Sequence, residues 1–179
     1  MPNAILDPTG ATGRAARPAA ARAPRRPSLA GARVGLLINT KQNARPFLLE
    51  LGRILEEDYG AASVSQRTKL NFAVPEPEEV IKALAAEVDV VVTGVGDCGS
   101  CSAAAAADGV VLEAAGLPAA VIVTDSFRTT ASKMAELRGA PGYQYATTAH
   151  PVAVLTEEQV KERAAQVAGD VVRLLTEPE

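Results

Sequence analysis

The sequence has few aromatic residues and few of the residues that build metal sites. Phe, Trp and Tyr make up 3% of its 179 residues, Trp is absent, and the chain holds one His and two Cys. The core must therefore consist of Val, Leu, Ile and Ala. A structural zinc needs four ligands, which two thiols and one imidazole do not supply unless subunits share them. We therefore expect no metal. Because no dinucleotide or phosphate-loop glycine motif occurs, we also expect no cofactor.

Neither a strong positive charge nor a long apolar run is present. The formal net charge is −3, which gives no general basis for binding nucleic acid or an anionic membrane. No segment approaches the roughly 20 apolar residues that a membrane span needs, and the N-terminus lacks an apolar secretory core. We therefore expect a cytoplasmic protein that acts on a small molecule.

The first 30 residues differ in composition from the rest. They carry five arginines among prolines and alanines, with Asp7 as the only acid. Two interpretations are open: an arm that wraps a neighbouring subunit, or a solvated linker. The proline content favours the linker. We place the domain boundary at residue 30, with one α/β domain over 31–179.

From residue 33 onward, short apolar runs alternate with segments of helical spacing. Such alternation predicts a single doubly wound, flavodoxin-like α/β domain with about five mostly parallel strands. We expect strands at 34–39, 62–67, 88–93, 119–124 and 143–147. We expect helices at 44–59, 76–87, 103–115, 126–137 and 156–175, the last beginning with a capping box of Thr156 and Gln159.

Both cysteines lie in one glycine-rich loop, Gly94-Val95-Gly96-Asp97-Cys98-Gly99-Ser100-Cys101-Ser102, directly after the predicted central strand. The carboxyl edge of a parallel sheet is where α/β folds bind ligands, and a helix N-terminus stabilises a thiolate. A Cys-x-x-Cys pair supports disulfide exchange, nucleophilic attack with a resolving thiol, or half of a metal site. Two buried structural cysteines are the remaining alternative.

Several neighbours of the thiols are candidate site residues. Asp97 disfavours a thiolate at Cys98 but could transfer protons. Ser100 and Ser102 could hydrogen-bond a substrate, although helix capping is the favoured interpretation. Gly99 allows close approach of a ligand.

Residues that follow other strands are expected at the same edge of the sheet. His150, the only histidine, is a candidate acid or base, with a structural role equally open. Lys41 and Asn43, after the first strand, could hold a substrate carboxylate or lie at the surface. Lys69 is a further candidate, for which the surface interpretation is favoured.

Cys98-Gly99-Ser100-Cys101 resembles the motif of the UGSC family of (seleno)proteins, in which selenocysteine or cysteine precedes Gly-Ser-Cys. The likeness covers nearly the whole chain. Besides the motif, it rests on Leu6-Asp7-Pro8-Thr9, Asn39-Thr40-Lys41-Gln42-Asn43-Ala44, Gly94-Val95-Gly96-Asp97, Gly116-Leu117-Pro118 and His150-Pro151. The stretch 96–151 also resembles, more distantly, the C-terminal part of selenoprotein B of the glycine, sarcosine and betaine reductases.

The resemblance to selenoprotein B implies that Cys98 attacks an activated carbon and displaces a nitrogen or similar leaving group. A partner would then resolve the thioether intermediate. In this chain sulfur replaces selenium, and any pyruvoyl-type partner must be a separate protein. We expect a thiol-dependent enzyme, homo- or hetero-oligomeric, that cleaves or exchanges a carbon–heteroatom bond in a small charged substrate. The alternative is a non-catalytic thiol/disulfide or partner-binding subunit.

Overall fold

In the computed structural model, which describes residues 20–177, the short apolar runs form strands and the segments between them form helices. The strands are β1 (Arg33–Ile38), β2 (Ser63–Thr68), β3 (Val90–Gly96), β4 (Ala119–Thr124) and β5 (Ala146–Thr148). The helices are α1 (Ala44–Glu57), α2 (Glu78–Glu87), α3 (Gly99–Ala114), α4 (Arg128–Leu137) and α5 (Glu157–Thr176). A single 3₁₀ turn at Asp125–Phe127 leads into α4.

All five strands are parallel and lie in the order β2-β1-β3-β4-β5. This is the flavodoxin-like doubly wound arrangement that the alternation predicts. After β2 the chain crosses to the other side of β1, so the switch point lies between β1 and β3. Ile38 is paired with Gly94 there, and the residues that follow these two strands therefore flank the switch point.

Side chains alternate across the strands and fill two layers. Leu36, Val92 and Ile122 pack in the layer formed with α1 and α5. On the opposite face, Leu37 packs with α2 and α3, and Val121 packs with α3 and α4. Each of these side chains is fully buried, which contributes roughly 1.5–3 kcal/mol per large aliphatic residue.

Element boundaries differ most from the prediction around the cysteine loop. β3 continues to Gly96 and α3 begins at Gly99, so only Asp97 and Cys98 connect them. Close packing explains the glycine at the end of β3. A Cβ on Gly96 would lie 2.7 Å from Ser102 Oγ and 2.9 Å from Val123 Cγ1. The missing side chain lets α3 and β4 approach the strand end directly.

The predicted capping box is present at the start of α5. The Thr156 hydroxyl accepts from Gln159 N, and the Gln159 side chain accepts from Thr156 N. None of the helices in residues 20–177 has the length and apolar character needed to cross a membrane.

Residues 20–30 are packed against the domain, so the solvated-linker interpretation is wrong for this part of the predicted arm. Leu29 is 1% exposed, and Ala23 is buried. Glu113 Oε2 accepts hydrogen bonds of 2.8 Å from Ala23 N and from the Arg25 guanidinium. A buried carboxylate needs such partners. The rest of the predicted arm, residues 1–19, lies outside the described residues.

Candidate functional site

Hydrogen bonds join the ends of β1, β3 and β4 at the carboxyl edge of the sheet. Asn39, which is buried, donates from Nδ2 to Val95 O at 2.8 Å. Thr124 Oγ1 donates to Gly96 O at 3.2 Å. The end of β3 is thereby fixed from both neighbouring strands.

Cys98 is the N-cap of α3, with an extended backbone, and its Sγ accepts a 3.3 Å hydrogen bond from Cys101 N. The two cysteines form a disulfide, with their Cα atoms 5.4 Å apart. Cys101 is fully buried, whereas Cys98 is partly exposed. The outer sulfur of the pair therefore lies at the positive end of the helix, where negative charge is stabilised.

The favoured expectation that the serines cap α3 is wrong, because Cys98 occupies the cap. Ser100 is exposed, and its Oγ lies 3.7 Å from Cys98 Sγ. Ser102 is fully buried, and its Oγ has no hydrogen-bond partner within residues 20–177. Gly99 is the first residue of the helix, and a Cβ there would meet nothing within 4 Å. The site is open on the side of Gly99.

Asp97 fixes the loop that follows β5. Its Oδ2 accepts hydrogen bonds from Val152 N and Ala153 N, at 3.0 and 2.9 Å. Its Oδ1 lies 2.8 Å from His150 Nδ1, with the Asp97 side chain 5% exposed. The carboxylate therefore positions the backbone of this loop and contacts the imidazole.

His150 is held from several directions, with 34% of its side chain exposed. Its backbone N donates to Asp125 Oδ1 at 3.1 Å. Its Nδ1 lies 3.2 Å from Thr124 Oγ1, and the edge of its ring contacts Phe127 with centroids 5.4 Å apart. The imidazole has a defined orientation and one side open to solvent.

Asn43 and Lys41 lie at this edge but have partners within the chain. Asn43 Nδ2 points at the carbonyls of Val152, Ala153 and Leu155, at 3.0, 3.3 and 2.9 Å. Its own backbone is left-handed, with φ 64°. The Lys41 ammonium lies 4.5 Å from the centre of the Phe72 ring, a cation–π contact that a bound anion could compete with.

Lys69 is buried, so the surface interpretation favoured for it is wrong. It is 4% exposed and forms an ion pair with Asp108 of α3. Asp108 Oδ1 also accepts a 2.6 Å hydrogen bond from Glu76 N. Burial raises the pKa of the Asp108 carboxyl, and the Lys69 charge opposes that rise. These contacts tie the segment after β2 to α3.

Thr124 and Asn39 are site residues that sequence reasoning missed. Thr124 ends β4 and contacts both Gly96 and His150, while Asn39 directly follows β1 and contacts Val95. The available signal was a polar residue at the end of an otherwise apolar run. Within residues 20–177, no group of three or more His, Cys, Asp or Glu side chains is arranged to hold a metal ion.

Fold and site define a flavodoxin-like α/β protein with a cysteine pair at the start of the helix after its central strand, the first cysteine being the helix cap. A model described as the UGSC family matches residues 4–177. The chain belongs to the UGSC family.

The comparison with solved structures gives a weaker similarity. The crystal structure of RecJ in complex with Mn²⁺ from Thermus thermophilus matches 81% of this chain at 19% identity and a TM-score of 0.44. The chain spans 18% of the length of that RecJ chain. The curated proteins compared with the sequence include no match.

Proposed function

We propose that the protein is a thiol-dependent enzyme in which Cys98 attacks a small charged substrate and Cys101 resolves the covalent intermediate on Cys98. The observation that carries this proposal is the position of Cys98, which is partly exposed, caps a 16-residue helix and forms a disulfide with the buried Cys101. A low-pKa, accessible thiol beside a resolving thiol is the usual arrangement of a reactive cysteine.

The assignment of roles follows from exposure and hydrogen bonding. In the reduced protein, the Cys101 N–H that now points at Cys98 Sγ would stabilise a thiolate at Cys98. Cys101 is fully buried in the first turn of α3, so a substrate meets Cys98 first. The buried thiol is then in place to attack the Cys98 sulfur.

The proposed reaction balances as a two-electron reduction. The Cys98 thiolate attacks an electrophilic carbon, a carbon–sulfur bond forms, and the leaving group departs with the bonding electrons and takes up a proton. The Cys101 thiolate then attacks Cys98 Sγ and forms the disulfide. The carbon–sulfur bond breaks, and the released carbon keeps its electron pair and takes up a proton. Two thiols are thereby oxidised to one disulfide, and an external dithiol must reduce it in each cycle.

Charged groups at the edge of the sheet suit an anionic substrate group. The N–H groups of the first turn of α3 attract negative charge, and Lys41 supplies a cation after β1. Gly99 and Ser100 would lie next to the bound group, and His150 or Asp97 would move protons. Asn43 acts in this scheme by holding the loop of His150, since its amide donates to that loop.

A separate partner is part of the proposal. The external dithiol, a substrate-activating protein, or both would dock near the cysteine loop, in a homo- or hetero-oligomer. A reducing, cytoplasmic environment would regenerate the dithiol form.

The first experiment is alkylation of the reduced protein with limiting iodoacetamide across pH, followed by intact mass and fragment-ion sequencing. We expect Cys98 to react faster than Cys101, and at lower pH than a cysteine in an unstructured peptide. Cys98→Ser should abolish the fast phase, while Cys101→Ser should keep it. Equal, slow reaction of both thiols would refute the nucleophile assignment.

A second candidate function is a non-catalytic disulfide relay, which the disulfide between the two cysteines favours. Such a subunit would exchange its disulfide with a partner dithiol but would form no stable adduct with a carbon electrophile in the partner's absence. Stoichiometric adduct formation at Cys98 therefore separates the enzyme from the relay.

A further inference from the structure

Within the described residues, one nitrogen of His150 faces two oxygen atoms. Its Nδ1 lies 2.8 Å from Asp97 Oδ1 and 3.2 Å from Thr124 Oγ1. Asp97 Oδ1 is buried and receives no well-directed hydrogen bond from the described residues. A proton on Nδ1 would make the approach to Asp97 Oδ1 electrostatically attractive, whereas a lone pair there would face a carboxylate oxygen.

The Thr124 hydroxyl lies between two partners, Gly96 O and His150 Nδ1, each 3.2 Å from Oγ1. Gly96 O can only accept, so the hydrogen bond to Gly96 requires the single hydroxyl proton. Because a hydroxyl carries one proton, the oxygen that faces His150 offers a lone pair. Both neighbours of Nδ1 are therefore acceptors.

The orientation of the carboxylate is also set. Asp97 Oδ2 accepts the N–H groups of Val152 and Ala153, so Oδ1 is directed at the imidazole. His150 itself is held through its backbone N–H to Asp125 and through the edge contact with Phe127. Neither partner is free to turn away without losing other contacts.

We propose that Thr124 and Asp97 are positioning residues that hold neutral His150 as the Nδ1–H tautomer. Nε2 is then the basic nitrogen, and it is the one available to take a proton from a Cys98 thiol or give one to a leaving group. This role in proton transfer rests on the proposed function, whereas the tautomer itself does not. In other enzymes a carboxylate fixes the tautomer of a catalytic histidine in the same way.

The test uses the single histidine of the chain, because a ¹⁵N-histidine-labelled sample then reports on His150 alone. Spectra of the wild-type disulfide form, in which no thiol titrates, are recorded at rising pH until the ring-nitrogen signals no longer change. We expect a protonated, pyrrole-type signal from Nδ1 and an unprotonated signal from Nε2. An Nε2–H tautomer, or an even mixture, would overturn the proposal.

Variants test each positioning residue. In Asp97→Asn the amide oxygen should keep the two backbone N–H groups, which turns the NH₂ towards Nδ1 and reverses the tautomer to Nε2–H. Thr124→Val should shift the tautomer ratio towards Nε2–H about fivefold, which corresponds to the net free energy of one hydrogen bond. Thr124→Ser should restore the wild-type ratio. An unchanged ratio in Thr124→Val would remove Thr124 from the proposal.

Alkylation of Cys98 in the reduced protein separates the two proposals. If the tautomer is Nδ1–H but both thiols are inert, the positioning is correct and the proposed function fails. If Cys98 is reactive and the tautomer is Nε2–H, the positioning inference fails alone.

Discussion

The two ends of α3 both carry buried acidic side chains, but their hydrogen-bonding capacity is used differently. At the C-terminal end, Glu113 Oε2 accepts from Ala23 N and Arg25, and Oε1 accepts from Ala119 N. At the N-terminal end, Asp97 Oδ1 and Ser102 Oγ have no well-directed hydrogen bond in the described residues.

The two ends of α3 also differ in solvent exposure. Glu113 is 2% exposed and Arg25 has 8% of its side chain exposed, whereas Cys98 and His150 open to solvent. Polar groups whose partners all lie within the chain hold the fold together. At the other end, Cys98 and His150 are the side chains that a ligand can reach from solvent, because they are partly exposed.

Glu113→Ala should have the largest effect on stability. The change leaves the Arg25 charge and two backbone N–H groups without a partner, which we expect to lower the free energy of unfolding by about 3–5 kcal/mol. Urea unfolding measures it. The control is Glu136→Ala, which breaks an exposed pair with Lys133 and should cost less than about 1 kcal/mol. Equal losses in both variants would contradict the role given to Glu113.

The Lys69–Asp108 pair should make stability depend on pH. Burial raises the pKa of Asp108, so between its ordinary and its raised pKa the folded state binds more protons than the unfolded chain. The free energy of unfolding therefore falls as pH rises through that window. Asp108→Asn should remove this decrease with pH. Lys69→Met should make the decrease steeper and lower the free energy of unfolding by about 3 kcal/mol near neutral pH.

Urea unfolding in steps from about pH 4, the usual range of an Asp carboxyl, to neutral pH measures both variants. The difference between wild type and Asp108→Asn isolates this carboxyl from the others. A pH profile that Asp108→Asn leaves unchanged would show that a different group titrates.

Gly96→Ala should disturb the cysteine end of α3 directly. The new Cβ would press on Ser102 Oγ, Val123 Cγ1 and Ser102 Cα, the last at 3.0 Å, and we expect a loss of about 1–3 kcal/mol together with slower alkylation of Cys98. Gly99→Ala is the matched control in the same loop. Nothing lies within 4 Å of its Cβ, and alanine in a helix is favoured over glycine by roughly 0.5–1 kcal/mol. Equal destabilisation by both would show that the loop is not tightly packed at Gly96.

Ser102→Ala should have the smallest effect on stability. Its buried hydroxyl makes no hydrogen bond within residues 20–177, so removing it should be neutral or stabilising by up to about 1 kcal/mol. Thr93→Val is the comparison, since the Thr93 hydroxyl donates to Leu37 O at 3.1 Å and its loss should cost about 1 kcal/mol. A clear loss of stability in Ser102→Ala would mean that this hydroxyl has a partner after all.

Most of the fold could be predicted because its signals are local. The apolar strands, the helical spacing between them and the Thr156 capping box depend on neighbours within a few residues. The boundary at the cysteine loop could not be predicted, because glycines usually end regular structure, while here Gly96 is needed for packing between β3, α3 and β4. The cap of α3 by Cys98 follows from that boundary.

The candidate site was only partly predictable for a related reason. Placing Cys98, Asp97 and His150 at one edge requires only the rule that parallel strands end together. The partners of Asn43 and of Lys69 lie 109 and 39 residues away in the chain, and no local spacing indicates them.

The amino-acid sequence by itself determined the alternating α/β architecture, the cysteine pair after a buried strand and the family motif. Each of these features depends on residues that are close together in the sequence. Tertiary structure alone decided which polar side chains are paired with other residues of the chain and which are exposed to a ligand. Lys69 is neutralised by Asp108, Asn43 holds a loop, and His150 meets Asp97 and Thr124. Burial and hydrogen-bond satisfaction depend on residues brought together by folding, and these contacts set the chemistry open to each side chain.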